Sequence, residues 1–207
     1  MFERLGRARS VKPGLHRIGK GVLLYRGENP AKLAEDPRGD VTLVKAVQEI
    51  LRGTRVQWRE TSHLQLRRGP YLIAAGLDES IDAPPRAVRG QFIDLFDPEL
   101  RLQTGVALEP GRRILLLDLA QVPAGPPRVL AGACKTFQAT NEPNQFRFFI
   151  EGIAKTPGIV LLRVPGAPQS AALNDEPLEL SRYDAGASLL WLQFTNLARP
   201  RESRVRF

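Results

Sequence analysis

From Arg55 onward the side chains change their period. Arg55, Gln57, Arg59, Thr61, His63, Gln65 and Arg67 are polar at odd positions, while Val56, Trp58, Leu64 and Leu66 are apolar at even ones. A repeat of two cannot be satisfied by a helix, whose face recurs every 3.6 residues, and it predicts a long half-buried strand. The pattern then recurs between turn signals to the end of the chain. Arg68, Gly69 and Pro70 reverse it, and Tyr71 to Leu77 returns as an antiparallel partner. Ala87 to Phe96 is a further strand after Pro84 and Pro85. Proline followed by glycine in Glu109-Pro110-Gly111-Arg112 fits the central pair of a type II turn, and Ile114 to Leu119 follows as an apolar strand. Seventeen prolines and eighteen glycines suit such a turn-rich chain better than a helical one.

Gln121 to Pro127 carries three prolines and cannot continue a central strand, which makes it the expected linker. Beyond it Phe146, Phe148 and Ile150 alternate with Arg147, Phe149 and Glu151, and Gly158 to Val164 is an apolar run. Asn174 and Asp175 have the spacing of a two-residue hairpin turn. Asp184 to Gly186 marks another turn, and Ser188 to Thr195 and Ser203 to Phe207 complete the strands.

Ahead of Arg55 the signals differ. Gly21 to Tyr25 is a short apolar run that reads as a strand buried on both faces, and Gly27 to Pro30 is a turn cluster. Asp40 stands where a helix cap belongs, before Leu43, Val44, Val47, Ile50 and Leu51 at helical spacing. One strand and one helix bury no core of their own, so this piece must lean on the strands after Arg55 or on another chain. The expected fold is mainly β: an α/β remnant over residues 1–54, a β-sandwich over 55–120, the linker 121–127, and a second, immunoglobulin-like sandwich over 128–207.

With 43% hydrophobic and 25% charged residues the chain is globular in composition. No apolar run is long enough for a bilayer-crossing helix, and Met1 to Ser10 lacks the apolar core of a secretion signal. Such a chain is expected to stay inside the cell and away from membranes. Cys134 is the lone cysteine, so no internal disulfide forms, and with only His16 and His63 beside it no zinc site is expected. No cofactor is expected either. Cys134 reads as a small buried apolar residue.

The net charge of +8 raises nucleic-acid or polyanion binding. Its candidates are Arg4, Arg7 and Arg9 near the start, with Lys12, Arg17 and Lys20, and Arg199 and Arg201 near the end, with Arg204 and Arg206. No aromatic interleaving or helix-turn-helix pattern accompanies them, which weighs against nucleic acid.

Acidic clusters at Asp78, Glu79 and Asp82 and at Asp94, Asp97 and Glu99 admit a carboxylate pair or calcium, but without specifying ligand spacing they read as solvated loops. His63 reads as an exposed, idle imidazole. Sugar binding is the better functional idea, because sugar rings stack on exposed aromatics. Trp191 is the first candidate, pointing outward if Leu190, Leu192 and Phe194 on alternate positions face the core, although beside Leu189 and Leu190 it reads mainly as a core or interface residue. Tyr183, beside a turn, and Trp58, on the apolar face of its strand, are the others, and Trp58 reads mainly as core.

The order of parts also resembles a known family. Gly19 to Trp58, a GKGVLLYRGENP strand and loop followed by a helix, resembles the closing strand and helix of a glutamine-amidotransferase-like domain. ETSHLQLRRGPYLIAAGLDES (Glu60 to Ser80) and LEPGRRILLLDL (Leu108 to Leu119) resemble the opening hairpin and last strand pair of the small β-sandwich that comes after it in β-galactosidase-type glycoside hydrolases. The last unit is similar to immunoglobulin-like modules of multidomain sugar hydrolases. The family's catalytic glutamates sit on a (β/α) barrel that this sequence does not supply, so none is carried over. The resemblance implies a non-catalytic module that serves as scaffold, oligomer interface or weak carbohydrate contact. Its implied partner is a catalytic barrel chain or a second copy. A basic polyanion-binding module and a protein-interaction adaptor are the alternatives.

Overall fold

A computed structural model describes residues 12–77, 84–180 and 182–207. Arg4, Arg7 and Arg9, and the cluster Asp78, Glu79 and Asp82, lie outside the described residues. The structure is mainly β, with 49% of the described residues in strands and 12% in helices. It divides into two compact units, Met1–Glu60 and Thr61–Phe207.

The first unit contains a hairpin of β1 (Gly14–Ile18) and β2 (Gly21–Tyr25), closed by a two-residue turn with Gly19 at φ 59°. The strand β1 is not expected from the sequence, where Lys12, Arg17 and Lys20 stand out only as basic residues. Two helices come next, α1 (Pro30–Glu35) and α2 (Gly39–Leu51). Asn29 caps α1 by accepting from Ala31 N, so the turn cluster is a helix start. Asp40 is not the cap of α2 but lies in its first turn, where a carboxylate favours the dipole; Arg38 holds the cap position. Gly39 is required here, because a Cβ would collide with Leu33 O of α1. The expected double burial of β2 is overturned: none of its residues is buried, and in α2 only Gly39 and Ala46 are.

In the second unit β3 (His63–Arg68), β4 (Tyr71–Gly76), β5 (Arg86–Asp94), β6 (Leu102–Leu108) and β7 (Arg113–Asp118) form one antiparallel sheet in the order β3-β4-β7-β5-β6. Strands β4 and β6 approach each other across its inner face although two strands separate them, a span of roughly 14 Å in a flat sheet. The sheet is therefore strongly curled. A bulge between Arg89 and Phe92 supplies the bend, with Gly90 at φ 150° and the Phe92 ring lying where a Cβ would be. Leu72, Ala74, Phe92, Val106, Ile114 and Leu116 fill the curl.

The long strand expected from Arg55 begins only at His63, and its apolar side is not buried. Leu64 and Leu66 are exposed beside Tyr71 and Ile73, because the core of this sheet lies on its other face. Val56 and Trp58, in the first unit, are exposed as well.

The remaining strands are β8 (Arg128–Gly132), β9 (Lys135–Glu142), β10 (Gln145–Glu151), β11 (Pro157–Arg163), β12 (Ser170–Leu173), β13 (Glu176–Leu178), β14 (Tyr183–Asp184), β15 (Leu189–Thr195) and β16 (Arg201–Arg206). They form a middle sheet, β14-β15-β11-β8, and an outer sheet, β13-β12-β16-β10-β9. Asn174 and Asp175, at φ 48° and 68°, are the expected hairpin turn. Phe146, Phe148 and Ile150 of the outer sheet meet Val160, Leu162, Leu190 and Leu192 of the middle one. The opposite face of the middle sheet is also covered: Ile159, Leu161, Leu189 and Trp191 pack against Ile93, Leu100, Leu117, Leu119 and Val122. Gln121 to Pro127 is thus no free linker. Val122 is buried, and Arg163 Nη1 donates to the carbonyls of Leu119 and Val122.

This layering predicts unequal costs of truncation. Leu161→Ala opens a hole on a strand covered on both faces and should cost about 3 kcal/mol in urea denaturation. Leu43→Ala on α2, where the side chain is 54% exposed, should cost less than about 0.5 kcal/mol.

Candidate functional site

The first unit and the loop from β5 to β6 each form a concavity among the described residues. The larger, about 850 Å³, lies within the first unit, between β2, α1 and α2. Leu24, Leu33, Leu43, Val47 and Ile50 line it, with Asp36 and Asp40 at its edge and Arg26 bonded to Glu28. Leu43, Val47 and Ile50 are among the apolar positions that give α2 its helical period. Within the described residues of that unit they line an open groove where an α/β layer would hold its core.

The smaller, about 530 Å³, is formed by Asp94, Phe96, Asp97, Pro98, Arg101, Leu102 and Gln103 on the loop from β5 to β6. Local chemistry builds this loop residue by residue. Asp94 Oδ1 accepts from Phe96 N and Asp97 Oδ1 from Glu99 N, two turns in which a short carboxylate replaces a backbone acceptor. Asp97 is further held by Arg101, whose Nε lies 2.7 Å from Oδ2. The side chain of Asp97 is 8% exposed, so this residue is not the solvated carboxylate its sequence context suggests. The hydrogen bond from Arg101 pulls its carboxyl down to about 2.

The far end of the loop is fixed from the middle sheet. Leu100 adopts φ 48°, an unfavourable conformation for a branched side chain, with that side chain buried. Its carbonyl accepts from Trp191 Nε1 at 2.9 Å, and the neighbouring carbonyl of Glu99 accepts from Arg182 Nη1. The Arg182 guanidinium also lies 4.3 Å over the Trp191 ring.

Trp191 does point away from the sandwich core, but into a second core. At 3% exposure its ring is not offered to solvent, so it is a structural anchor, the reading that its apolar neighbours favour, and not a sugar platform. Tyr183 is half-buried against the sandwich core. Trp58, read mainly as core, is 44% exposed with Nε1 donating to Glu60 Oε1. The aromatic presented by the loop is Phe96, 65% exposed, which the sequence reading placed at a strand end. Its signal was present: two turn-forming aspartates bracket it, and a proline lies just beyond.

At the basic end of the chain Arg201 and Arg204 have internal partners. Arg201 is buried, donating to Thr195 O and lying over the Phe194 ring. Arg204 binds Glu202 and Asp175, and Arg147 opposite it binds Glu142 and Glu202. Arg199 is exposed. His63 is half-buried rather than exposed, and burial pushes the half-buried Cys134 thiol up, away from reactivity. Among the described residues no group of three acidic, histidine or cysteine side chains is placed to hold a metal ion. No helix there is long and apolar enough to cross a membrane.

A scan against protein-family models, a search of curated proteins and a search of solved structures each return no match.

Two outcomes test the loop's construction. The Asp97 carboxyl titrates lower in the folded than in the unfolded chain, so its stabilisation is present above about pH 4. It should be lost as pH falls from there toward about 2, and Asp97→Asn should flatten that part of the stability profile in urea titrations. Trp191→Phe keeps the apolar ring but orphans the buried Leu100 carbonyl. It should cost about 1–3 kcal/mol in the same assay.

Proposed function

We propose that the chain is a non-catalytic β-sandwich module of a glycoside-hydrolase-like protein, acting as scaffold and docking piece with a weak carbohydrate contact. The observation that carries this reading is the open groove of the first unit. A strand, a loop and an amphipathic helix present an apolar face over which no further layer lies among the described residues of that unit. Among the described residues strand β2 has one neighbour, β1, and its other edge is unpaired there. A layer of this kind gains stability when another polypeptide supplies the missing strand.

The resemblance of Gly19 to Trp58 to the end of an amidotransferase-like domain supplies the nature of that polypeptide: the rest of such a layer, on a chain that carries the catalytic barrel. The curled sheet and the sandwich behind it then serve as rigid mass and spacing. The polyanion alternative draws less support, because Arg201 and Arg204 are committed to internal partners.

The test has two arms. The isolated chain should not hydrolyse a nitrophenyl β-galactoside above the buffer rate; turnover that disappears in Asp94→Asn would overturn the reading. Co-expressed with a barrel-bearing hydrolase chain, it should co-purify, and Leu43→Asp with Val47→Asp should abolish the complex while leaving unfolding of the second unit unchanged. Co-purification indifferent to those two changes would remove the groove from the reading.

A further inference from the structure

We propose that the loop between β5 and β6 is a binding site for a neutral carbohydrate, with Phe96 as its stacking platform and Asp94, Arg101 and Gln103 as its hydroxyl partners. The inference deepens the carbohydrate contact of the proposed function and rests on it only for the sugars chosen as probes.

The first support is the presentation of Phe96. Phe96 is 65% exposed and lines the concavity, so the face of its ring is accessible to a ligand seated there. Sugar rings have one face of polarised C–H bonds, which match the negative face of an aromatic ring, and a rim of hydroxyls. The concavity repeats that division. Phe96 and Pro98 supply apolar surface, while a carboxylate, a guanidinium and a carboxamide surround them. Its volume of about 530 Å³ is in the range of small-ligand sites.

Charge narrows the class. Asp94, Asp97 and Glu99 set three carboxylates against the guanidinium of Arg101, inside a chain whose net charge is +8. A phosphate or uronate would meet repulsion there although the protein as a whole attracts anions. Hydroxyls suffer no such penalty, since they donate to carboxylates and accept from guanidinium and amide N–H groups.

Rigidity is the third support. A weak ligand cannot supply the free energy to order a loop, so its site must be built beforehand. This one is fastened by Asp94 and Asp97 to its own backbone, by Arg101 to Asp97, and by Trp191 and Arg182 to the carbonyls of Leu100 and Glu99. The strained Leu100 is what such fastening holds in place.

The experiment is a titration of the full isotope-labelled chain, monitored by amide and aromatic NMR shifts. The probes are methyl β-galactoside, a β-1,4-galactotetraose, cellotetraose and an oligogalacturonate. Neutral oligosaccharides should shift the Phe96 ring and the amides of residues 95–103, saturably, while the Trp191 indole signal moves little and the uronate binds more weakly. Phe96→Ala should weaken binding about tenfold with an unchanged unfolding midpoint, and Phe96→Tyr should restore it. Gln103→Ala should weaken it by a smaller factor without affecting the fold.

No saturable shift with any neutral probe, or equal affinity in Phe96→Ala, would overturn the site. So would a change in oligomeric state caused by Phe96→Ala, which would make the ring a protein contact. Each of these results leaves the co-purification and hydrolysis outcomes expected of the groove standing, so the two failures can be told apart.

Discussion

Everything in the second unit depends on two strands that are covered on both sides. β11 and β15 pair so that Leu162 lies opposite Leu190, facing the outer sheet, while Leu161 lies opposite Trp191, facing the curled sheet. Apolar side chains on both faces make the middle sheet a shared wall between two cores. Neither core closes without it. This is why the two β regions form one compact unit although a proline-rich crossing joins them, and why Val122 within that crossing is buried.

That double burial also explains which parts of the fold were legible in the sequence. Alternation exposes a strand with one wet face, and it located Phe146, Phe148 and Ile150 on the inner side of β10. Turn chemistry located the reversals at Pro110-Gly111 and Asn174-Asp175, because positive φ restricts the residues allowed. A run such as Ile159 to Leu162 shows no alternation, so periodicity could not reveal that its second face has a partner of its own. The same blindness produced the opposite error at β3. There the alternation of Leu64 and Leu66 is real, but the face it marks is open to solvent, since the core of the sheet formed from Leu72, Ala74 and Ile114 on the other side.

The loop site was half legible for a related reason. Its carboxylates were visible as a cluster, yet a sequence does not show whether a carboxylate bonds to water or to its own backbone. Asp94 and Asp97 do the second, and in doing so they turn Phe96 outward. Trp191 was singled out correctly as facing away from the sandwich core. What lay on that other side was a second core with a carbonyl to receive its N–H, which only the three-layer packing discloses.

Such packing gives a site on the β5–β6 loop a mechanical consequence. Leu100 is at once a member of the shared core, a residue with a left-handed backbone, and the acceptor for the Trp191 indole. Its conformation is unfavourable locally and is held because the hydrogen bond and the apolar contacts act together. Loosening the middle sheet would release both at once. The presentation of Phe96 is therefore coupled to the integrity of the wall behind it, and a surface feature of one loop is fixed by two strands that are covered on both faces.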